Sequence, residues 1–482
     1  MSGVCLDPPA RSEFWVQGSG SAPFANRDVL GRSWRGRRVA VVGLGKSGQA
    51  ALELLCRAGA VVRASDAHDT PALRRVQATW TRAEGVEEIE LGAHAERIFK
   101  GVALVVVSPG VPESAAPIRW AQAAGIPIIS EIELAFQFCR APIVAVTGTN
   151  GKSTTVSLLR DVVTAGGRHA VACGNVGIPF SSVVGQLTPE SLAVVEVSSF
   201  QLLWCHTFAP AIGVLLNLGV NHLDRHPDHA AYVAAKARLF QAQTPRDWAV
   251  VNGADAQVAD IAERVAARRV WFGENRSNPP SLTLSPQTLA ALSSCAQAVV
   301  QVSRLLGIPD PLSWQVIRSF RGLEHRLEHV ATSRCGVRFI NDSKSTTPES
   351  LLFALRQVRG EVVVILGGRD KGMDFRPLAG PLHEPRVKGL VLIGESRARL
   401  RQCLDGAAAH PPIRDTAHLE EALQMGHALA QTGTTVLFSP ACASFDMFRD
   451  FEERGRRFKE LVTRLVTGSP QPTADSERGS VC

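Results

Sequence analysis

The chain has 482 residues, 45% hydrophobic and 20% charged, with Lys plus Arg exceeding Asp plus Glu by 52 to 45 for a formal net charge of +7. That length holds two or three domains with a substantial core, and the composition excludes disordered, collagen-like and coiled-coil classes. No apolar run approaches the ~20 residues of a membrane span, and no Lys/Arg block with interleaved aromatics marks a nucleic-acid binder; neither a membrane span nor nucleic acid is expected.

Residues 1–33, rich in Gly, Ser, Pro and Ala, read as a loose extension without the basic head, apolar stretch and cleavage site of a signal peptide. Ten cysteines without a CxxC pair fit reduced thiols, mostly buried, in a cytoplasmic protein. Strand-like runs then alternate with helix-period stretches, so the class is α/β with mainly parallel sheets. Three blocks emerge, at 34–140, 141–322 and 323–467, followed by a tail at 468–482.

In the first block, a strand at Arg38–Val42 runs into Gly43-Leu-Gly-Lys-Ser-Gly48 and a helix at Gln49–Ala58. Glycines there allow a tight turn, and the helix N-terminus offers N–H groups to a phosphate. Asp66, ending a second apolar run, suits a ribose hydroxyl. Alone, this pattern fits an NAD-dependent oxidoreductase as well as it fits a plain tight turn.

The second block opens on a strand at Ile143–Val146, the turn Thr147-Gly-Thr-Asn-Gly-Lys-Ser-Thr154 and a helix at Ser153–Ala165. Backbone N–H groups around Gly151 can wrap a triphosphate, Lys152 can neutralise its β/γ oxygens, and Ser153 or Thr154 can ligate Mg²⁺. This turn points to ATP. A buried strand over Val194–Ser199 carries Glu196, suited either to Mg²⁺ or to solvent. A further strand at Ala211–Leu216 leads to a segment dense in His and Asp, where His222 is the one expected at a metal. The next helix, Tyr232–Gln243, carries Lys236, which reads either as an exposed helix lysine or as one made reactive by apolar packing.

The third block has strands near Val337–Ile340, Val362–Leu366, Gly389–Ile393 and Thr435–Phe438, with helices at Pro348–Val358 and His418–Gln431. The segments Asn341-Asp-Ser-Lys344, Gly367-Gly-Arg-Asp-Lys371 and Ser439-Pro-Ala-Cys-Ala-Ser444 each end a strand, the last opening a helix at about Phe445. Together they form a rim for a carboxylate. Arg326, in His325-Arg-Leu-Glu328, suits phosphate charge.

With Gly174-Asn175-Val-Gly177, Glu196-Val-Ser-Ser-Phe-Gln201 and Asn221-His-Leu-Asp-Arg-His226, these stretches resemble the Mur ligase family over about residues 37–466. The NDSK and SPACAS segments are similar to its glutamate-adding branch. The resemblance implies three domains: an N-terminal Rossmann-like UDP-binding domain, a central P-loop ATPase-type domain and a C-terminal Rossmann-like domain that binds glutamate. It implies an ATP-dependent ligase joining D-glutamate to UDP-N-acetylmuramoyl-L-alanine through an acyl phosphate, in cytoplasmic peptidoglycan precursor synthesis, acting as a monomer. Gly43, Gly45, Ser47, Gly48, Asp66, Ser108 and Gly110 would then hold the UDP-sugar. Gly148, Thr149, Asn150, Gly151, Lys152, Ser153, Thr154, Thr155, Arg326, Asp342 and Lys344 would contact ATP. Ser153 and Glu196 would hold one Mg²⁺, and His222 with a carbamylated Lys236 a second. Asn175 and His222 would orient the reacting carboxylate beside Lys152 and Lys236, while Thr346, Lys371, Ser444 and Phe445 would bind glutamate.

The sequence departs from the family's HNxxN segment, whose positions hold Ala291, Leu292 and Cys295, and Asn221 stands where Asp is frequent. An L-glutamate-adding ligase, the oxidoreductase and a non-catalytic UDP-sugar-binding relative remain alternatives.

Overall fold

The computed structural model describes residues 33–219, 225–273, 294–320, 322–370, 372–404 and 411–467. His222, Lys371, the HNxxN positions 291 and 292, and both terminal segments lie outside them. Two compact units divide the chain after Phe320.

The first unit carries two sheets. One has β1 (Arg38–Val42), β2 (Val61–Asp66), β3 (Val86–Leu91), β4 (Leu104–Val107) and β5 (Ile128–Ser130) in the order β3-β2-β1-β4-β5. The other has β6 (Ile143–Thr147), β7 (Ala170–Gly174), β8 (Leu192–Glu196), β9 (Ile212–Leu215), β10 (Trp248–Asn252) and β11 (Arg268–Phe272) in the order β11-β10-β9-β6-β8-β7. Every pairing in both is parallel. The second unit holds β12 (Glu328–Thr332), β13 (Arg338–Asn341), β14 (Val362–Gly367), β15 (Val387–Ile393), β16 (Ile413–Thr416) and β17 (Thr435–Phe438), ordered β12-β13-β17-β14-β15-β16, with the β12–β13 pair alone antiparallel. The expected α/β class with mainly parallel sheets is therefore what folds.

Central strands such as β6, β8 and β14 are buried along their whole length, the signature of sheets covered by helices on both faces. Each sheet has a separate apolar cluster on either side, built on Val41 and Val105, on Val195 and Val194, and on Leu366 and Ile365. In all three sheets the strand order reverses beside a strand whose C-terminal turn carries one of the motifs. Such reversals open a crevice at the carboxyl ends of the strands.

Several element ends differ from expectation, each for a local reason. The helix after β1 spans Lys46–Arg57, three residues earlier than the spacing suggests, because extended Gly45 caps it. Strand β8 stops at Glu196 rather than Ser199, because the Ser198 hydroxyl and the Gln201 side chain form a reciprocal cap that starts a helix. The helix carrying Lys236 runs from His229 to Ala237, capped by the Asp228 carboxylate, and tightens into a 3₁₀ turn at Arg238–Phe240. The last helix begins at Phe451, not Phe445: Met447 and Phe448 N–H groups fold back onto the Ser444 carbonyl, and Asp450 Oδ1 accepts from Glu453 N. Of the eight described cysteines, three are buried, four half-buried and Cys335 exposed, fewer buried than expected.

Candidate active site

The first crevice forms where β1 and β4 part. Gly43 takes φ +86°, and a Cβ on it would come within 2.9 Å of Val111 Cγ2, so the loop after β4 packs on a bare Cα. Ser108 Oγ donates to the Gly43 carbonyl at 2.7 Å. A Cβ on Gly48 would sit 1.8 Å from that same carbonyl oxygen, so only glycine lets the helix start this close. Asp66 is already occupied: Oδ2 accepts from Leu44 N at 2.7 Å and Oδ1 from His68 N at 2.9 Å. It holds the turn before it can meet any ribose. Gly45 and Gly110 are exposed and Ser47 half-buried along the same rim. The helix behind them has no side-chain cap and no acid in its first turn, which leaves its positive end suited to an anion.

The second crevice forms around β6. Gly148 at φ +152° and Gly151 at φ +86° bend the backbone into the turn, and the helix Lys152–Ala165 starts on left-handed Gly151, again with no side-chain cap and no acid in its first turn. The turn is braced from β9: Thr149 N donates to the Asn217 carbonyl, Asn150 N to Asn217 Oδ1, and Thr149 Oγ1 lies 2.9 Å from the Tyr232 hydroxyl. Lys152 Nζ donates to the carbonyls of Gly148 and Thr149. Ser153 and Thr155 are buried behind it; Asn150 is exposed and Thr154 half-buried.

Glu196 ends β8 beside this turn at 2% exposure, so it does not face solvent. Its Oε1 accepts from Asn175 Nδ2 at 3.0 Å, while its Oε2 is buried without a hydrogen-bond partner. Gly174, at φ +106°, brings Asn175 into position; a Cβ there would lie 2.3 Å from the Glu196 carbonyl oxygen. Lys236 is likewise only 2% exposed, donating from Nζ to Gly148 O at 2.9 Å and Thr147 Oγ1 at 3.2 Å. Burial, aided by neighbouring Lys152 and opposed by Glu196, drives its pKa well below the ordinary lysine value. The packing alternative, not the exposed one, describes Lys236. An orphaned carboxylate oxygen at the end of β8, the strand paired with β6, is a donor that fits a hard divalent cation.

Three family models match along the chain: "Mur ligase MurD-like, N-terminal domain" over residues 37–130, "Mur ligase middle domain" over 146–302, and "Mur ligase, glutamate ligase domain" over 325–442. The UDP-N-acetylmuramoylalanine–D-glutamate ligase of Pelotomaculum thermopropionicum is 38% identical over 453 residues, covering 90% of this chain and 98% of that protein. The chain belongs to the Mur ligase family.

Ligases of the same name from Acidobacterium capsulatum and Trichlorobacter lovleyi are 37% and 39% identical, each over 89% of this chain and over 96% and 99% of theirs. Among solved structures, UDP-N-acetylmuramate-alanine ligase from Thermotoga maritima aligns with a TM-score of 0.55 at 18% identity, over 90% of this chain and all of that one. A pseudomurein peptide ligase type C from Methanothermus fervidus gives 0.52 at 16%, over 89% and 100%. At these identities the two structures speak to the Mur ligase fold alone.

In the second unit, the ends of β13, β14 and β17 converge. Asp342, buried, accepts from Leu327 N on Oδ1 and from Ser439 Oγ on Oδ2 at 2.7 Å, and burial pushes its pKa up to about 6. It thereby fixes the loop holding half-buried Arg326, where His325 and Leu327 adopt φ of +62° and +46°. Lys344 lies 6.0 Å from the Phe451 ring centroid; Thr346 is half-buried, Ser444 buried, and Phe445 58% exposed.

Sequence reasoning missed Arg454. It is fully buried, with Nε donating to Ser343 Oγ, Nη2 to Ser343 O and Nη1 to Cys442 O, tying the β13 and β17 loops together. Burial lowers its pKa to about 10. Gly455 beside it was the available signal, since a Cβ there would lie 2.2 Å from His325 Nδ1 and only close packing needs that glycine. Cys295, the one expected HNxxN position among the described residues, places its Sγ 3.6 Å from the Gly151 carbonyl oxygen.

Proposed function

We propose that the chain is an ATP-dependent ligase that joins D-glutamate to UDP-N-acetylmuramoyl-L-alanine in peptidoglycan precursor synthesis. The observation that carries this is end-to-end likeness to relatives bearing that name, at 36–39% identity over about nine-tenths of this chain. The local geometry supplies the parts such a reaction needs.

A carboxylate is a poor electrophile, and its approach to a triphosphate sets anion against anion. In the proposed course, the alanyl carboxylate oxygen attacks the γ-phosphorus and ADP leaves, giving an acyl phosphate. The glutamate amine then adds to the carbonyl, loses a proton, and the tetrahedral adduct expels phosphate to leave an amide. Lys152 and the N-terminal N–H groups of the helix Lys152–Ala165 are suited to spread triphosphate charge, and Asn175 to orient the carboxylate through its bond to Glu196. Ser153 and Glu196 would hold Mg²⁺, which when bound supplies charge stabilisation at the transferring phosphoryl group.

Lys236 is proposed to be carbamylated. A neutral amine adds to carbon dioxide with loss of a proton, and the depressed basicity of this buried group favours the neutral form. The resulting carboxylate would join His222 at a second cation. Gly43, Gly45, Ser47, Gly48, Asp66, Ser108 and Gly110 are proposed for the UDP-sugar, and Arg326, Asp342 and Lys344 for the nucleotide. Thr346, Lys371, Ser444 and Phe445 are proposed for glutamate. No helix among the described residues is long and apolar enough to cross a membrane; since ATP and UDP-sugars are cytoplasmic pools, the work is proposed to occur there.

The test is phosphate release by the Lys152→Ala variant with all three substrates. Loss of turnover with UDP-sugar binding intact is expected; retained turnover would refute the reading.

A further inference from the structure

The loop after β4 and the segment after β9 meet at one side chain. Arg225 donates from Nη2 to the carbonyl oxygens of Pro109 at 3.1 Å and Val111 at 3.2 Å, and its guanidinium lies 4.4 Å from the Phe200 ring centroid. His226, the next residue, is buried, stacks on the same ring at 5.2 Å with an interplanar angle of 11°, and brings Nε2 within 2.9 Å of Ser199 Oγ. Two consecutive side chains are thus seated on the first turn of the helix Ser199–Leu203.

Each end of this contact leads to one of the two crevices. On one side, Val111 and Ser108 close directly on Gly43, the first glycine of the β1 turn. On the other, Ser199 and Phe200 follow the Ser198 cap, three and four residues beyond Glu196, and the Val197 carbonyl between them accepts from Thr147 Oγ1 at 2.7 Å. One guanidinium nitrogen serves both carbonyls while the planar group lies over the ring, so this side chain ties the Pro109–Val111 segment to Phe200.

We infer that Arg225 is a positioning residue that couples occupancy of the β1 turn by the UDP-sugar to the alignment of Glu196 and the β6 turn for phosphoryl transfer. The inference rests on the ligase reading above. A sugar diphosphate seated on Gly43–Gly48 orders the Ser108–Val111 loop. Arg225 passes that order to the helix behind Glu196, so bound acceptor improves the alignment of the triphosphate crevice.

The test measures affinity for UDP-N-acetylmuramoyl-L-alanine calorimetrically, with and without a saturating non-hydrolysable ATP analogue and Mg²⁺. In the wild-type chain the analogue tightens sugar-nucleotide binding by about fivefold or more, the usual range of coupling between sites. In Arg225→Ala each binary affinity stays within about twofold while that tightening disappears, and kcat falls with little change in the KM for the sugar nucleotide. Phe200→Leu reproduces the loss. Tightening that survives in Arg225→Ala overturns the inference, as does loss of both binary affinities with a lowered melting temperature, which marks a merely structural residue. Failure of the wild-type chain to bind the sugar nucleotide at all overturns the ligase reading, and the inference with it.

Discussion

Lys152 and Lys236 aim their amines at the same atom: the Gly148 carbonyl oxygen accepts from Lys152 Nζ at 2.8 Å and from Lys236 Nζ at 2.9 Å. Two ammonium groups on one oxygen repel, and burial, with Lys152 close by, pulls the Lys236 amine well below the ordinary lysine range. Lys152 stands at the half-buried start of its helix, whereas Lys236 is buried.

Replacing Lys236 by Met separates these roles. Turnover should fall by roughly 100-fold or more, as for loss of a metal-site group, while stability at neutral pH stays level or rises by about 1 kcal/mol because a costly buried amine is gone. Phosphate-release kinetics and urea melts check both halves. Wild-type activity should also drop in buffers stripped of carbon dioxide and return with bicarbonate.

Glu196 has one oxygen engaged by Asn175 and one left over. In Glu196→Gln the concentration of Mg²⁺ giving half-maximal rate should rise about 10-fold or more, and EDTA should silence the wild-type chain. A magnesium titration of phosphate release reads this directly; an unchanged midpoint would remove Glu196 from the metal site.

Gly48→Ala drives a methyl group into the Gly43 carbonyl. A displacement costing about 1–3 kcal/mol corresponds to roughly 5–140-fold weaker UDP-sugar binding. ATP-analogue binding should remain as it was, since the β6 turn is built separately. Calorimetry with each ligand distinguishes the two.

Glu131 gives a pH signature. Its Oε1 accepts from Ser181 N at 2.6 Å in a fully buried setting, and desolvation raises its pKa from 4.5 to about 7. Between those values the unfolded chain has released the proton that the folded chain still holds, so stability declines as pH rises from about 4.5 to 7 and levels off above. The full effect is at most about 3 kcal/mol. Denaturation of Glu131→Gln at pH 5 and pH 8 should lack this loss relative to wild type.

The two glycine turns were legible in the sequence because glycine and lysine in a strand–turn–helix setting leave little freedom: Gly43–Gly48 and Gly148–Lys152 each follow a strand and open a helix. The apolar runs leading to Glu196, Asp342 and Ser439 were legible as strands, although β8 stops at Glu196, three residues short of the expected end. What escaped was anything decided by tertiary packing. Nothing local distinguishes a buried Lys236 from an exposed one, because its amine is held by Thr147 and Gly148 from the β6 turn, far away in sequence. Asp66, expected at a ribose hydroxyl, was not foreseen to hold the turn as well, accepting from Leu44 N and His68 N. Glu133 passed unnoticed although the N–H groups of His206, Thr207 and Phe208 all converge on it. Arg454 passed unnoticed, and Arg225 was quoted in its motif without a role, because their partners, mostly backbone carbonyls of distant loops, leave no trace in the side-chain sequence.

The most direct test of the ligase account is ATP-dependent phosphate release with UDP-N-acetylmuramoyl-L-alanine, run in parallel with D-glutamate, L-glutamate and no amino acid. Stoichiometric phosphate with D-glutamate alone is the predicted result. Turnover with L-glutamate instead would contradict the assigned stereochemistry, and silence in every lane from a chain that still binds the UDP-sugar would contradict the reaction itself.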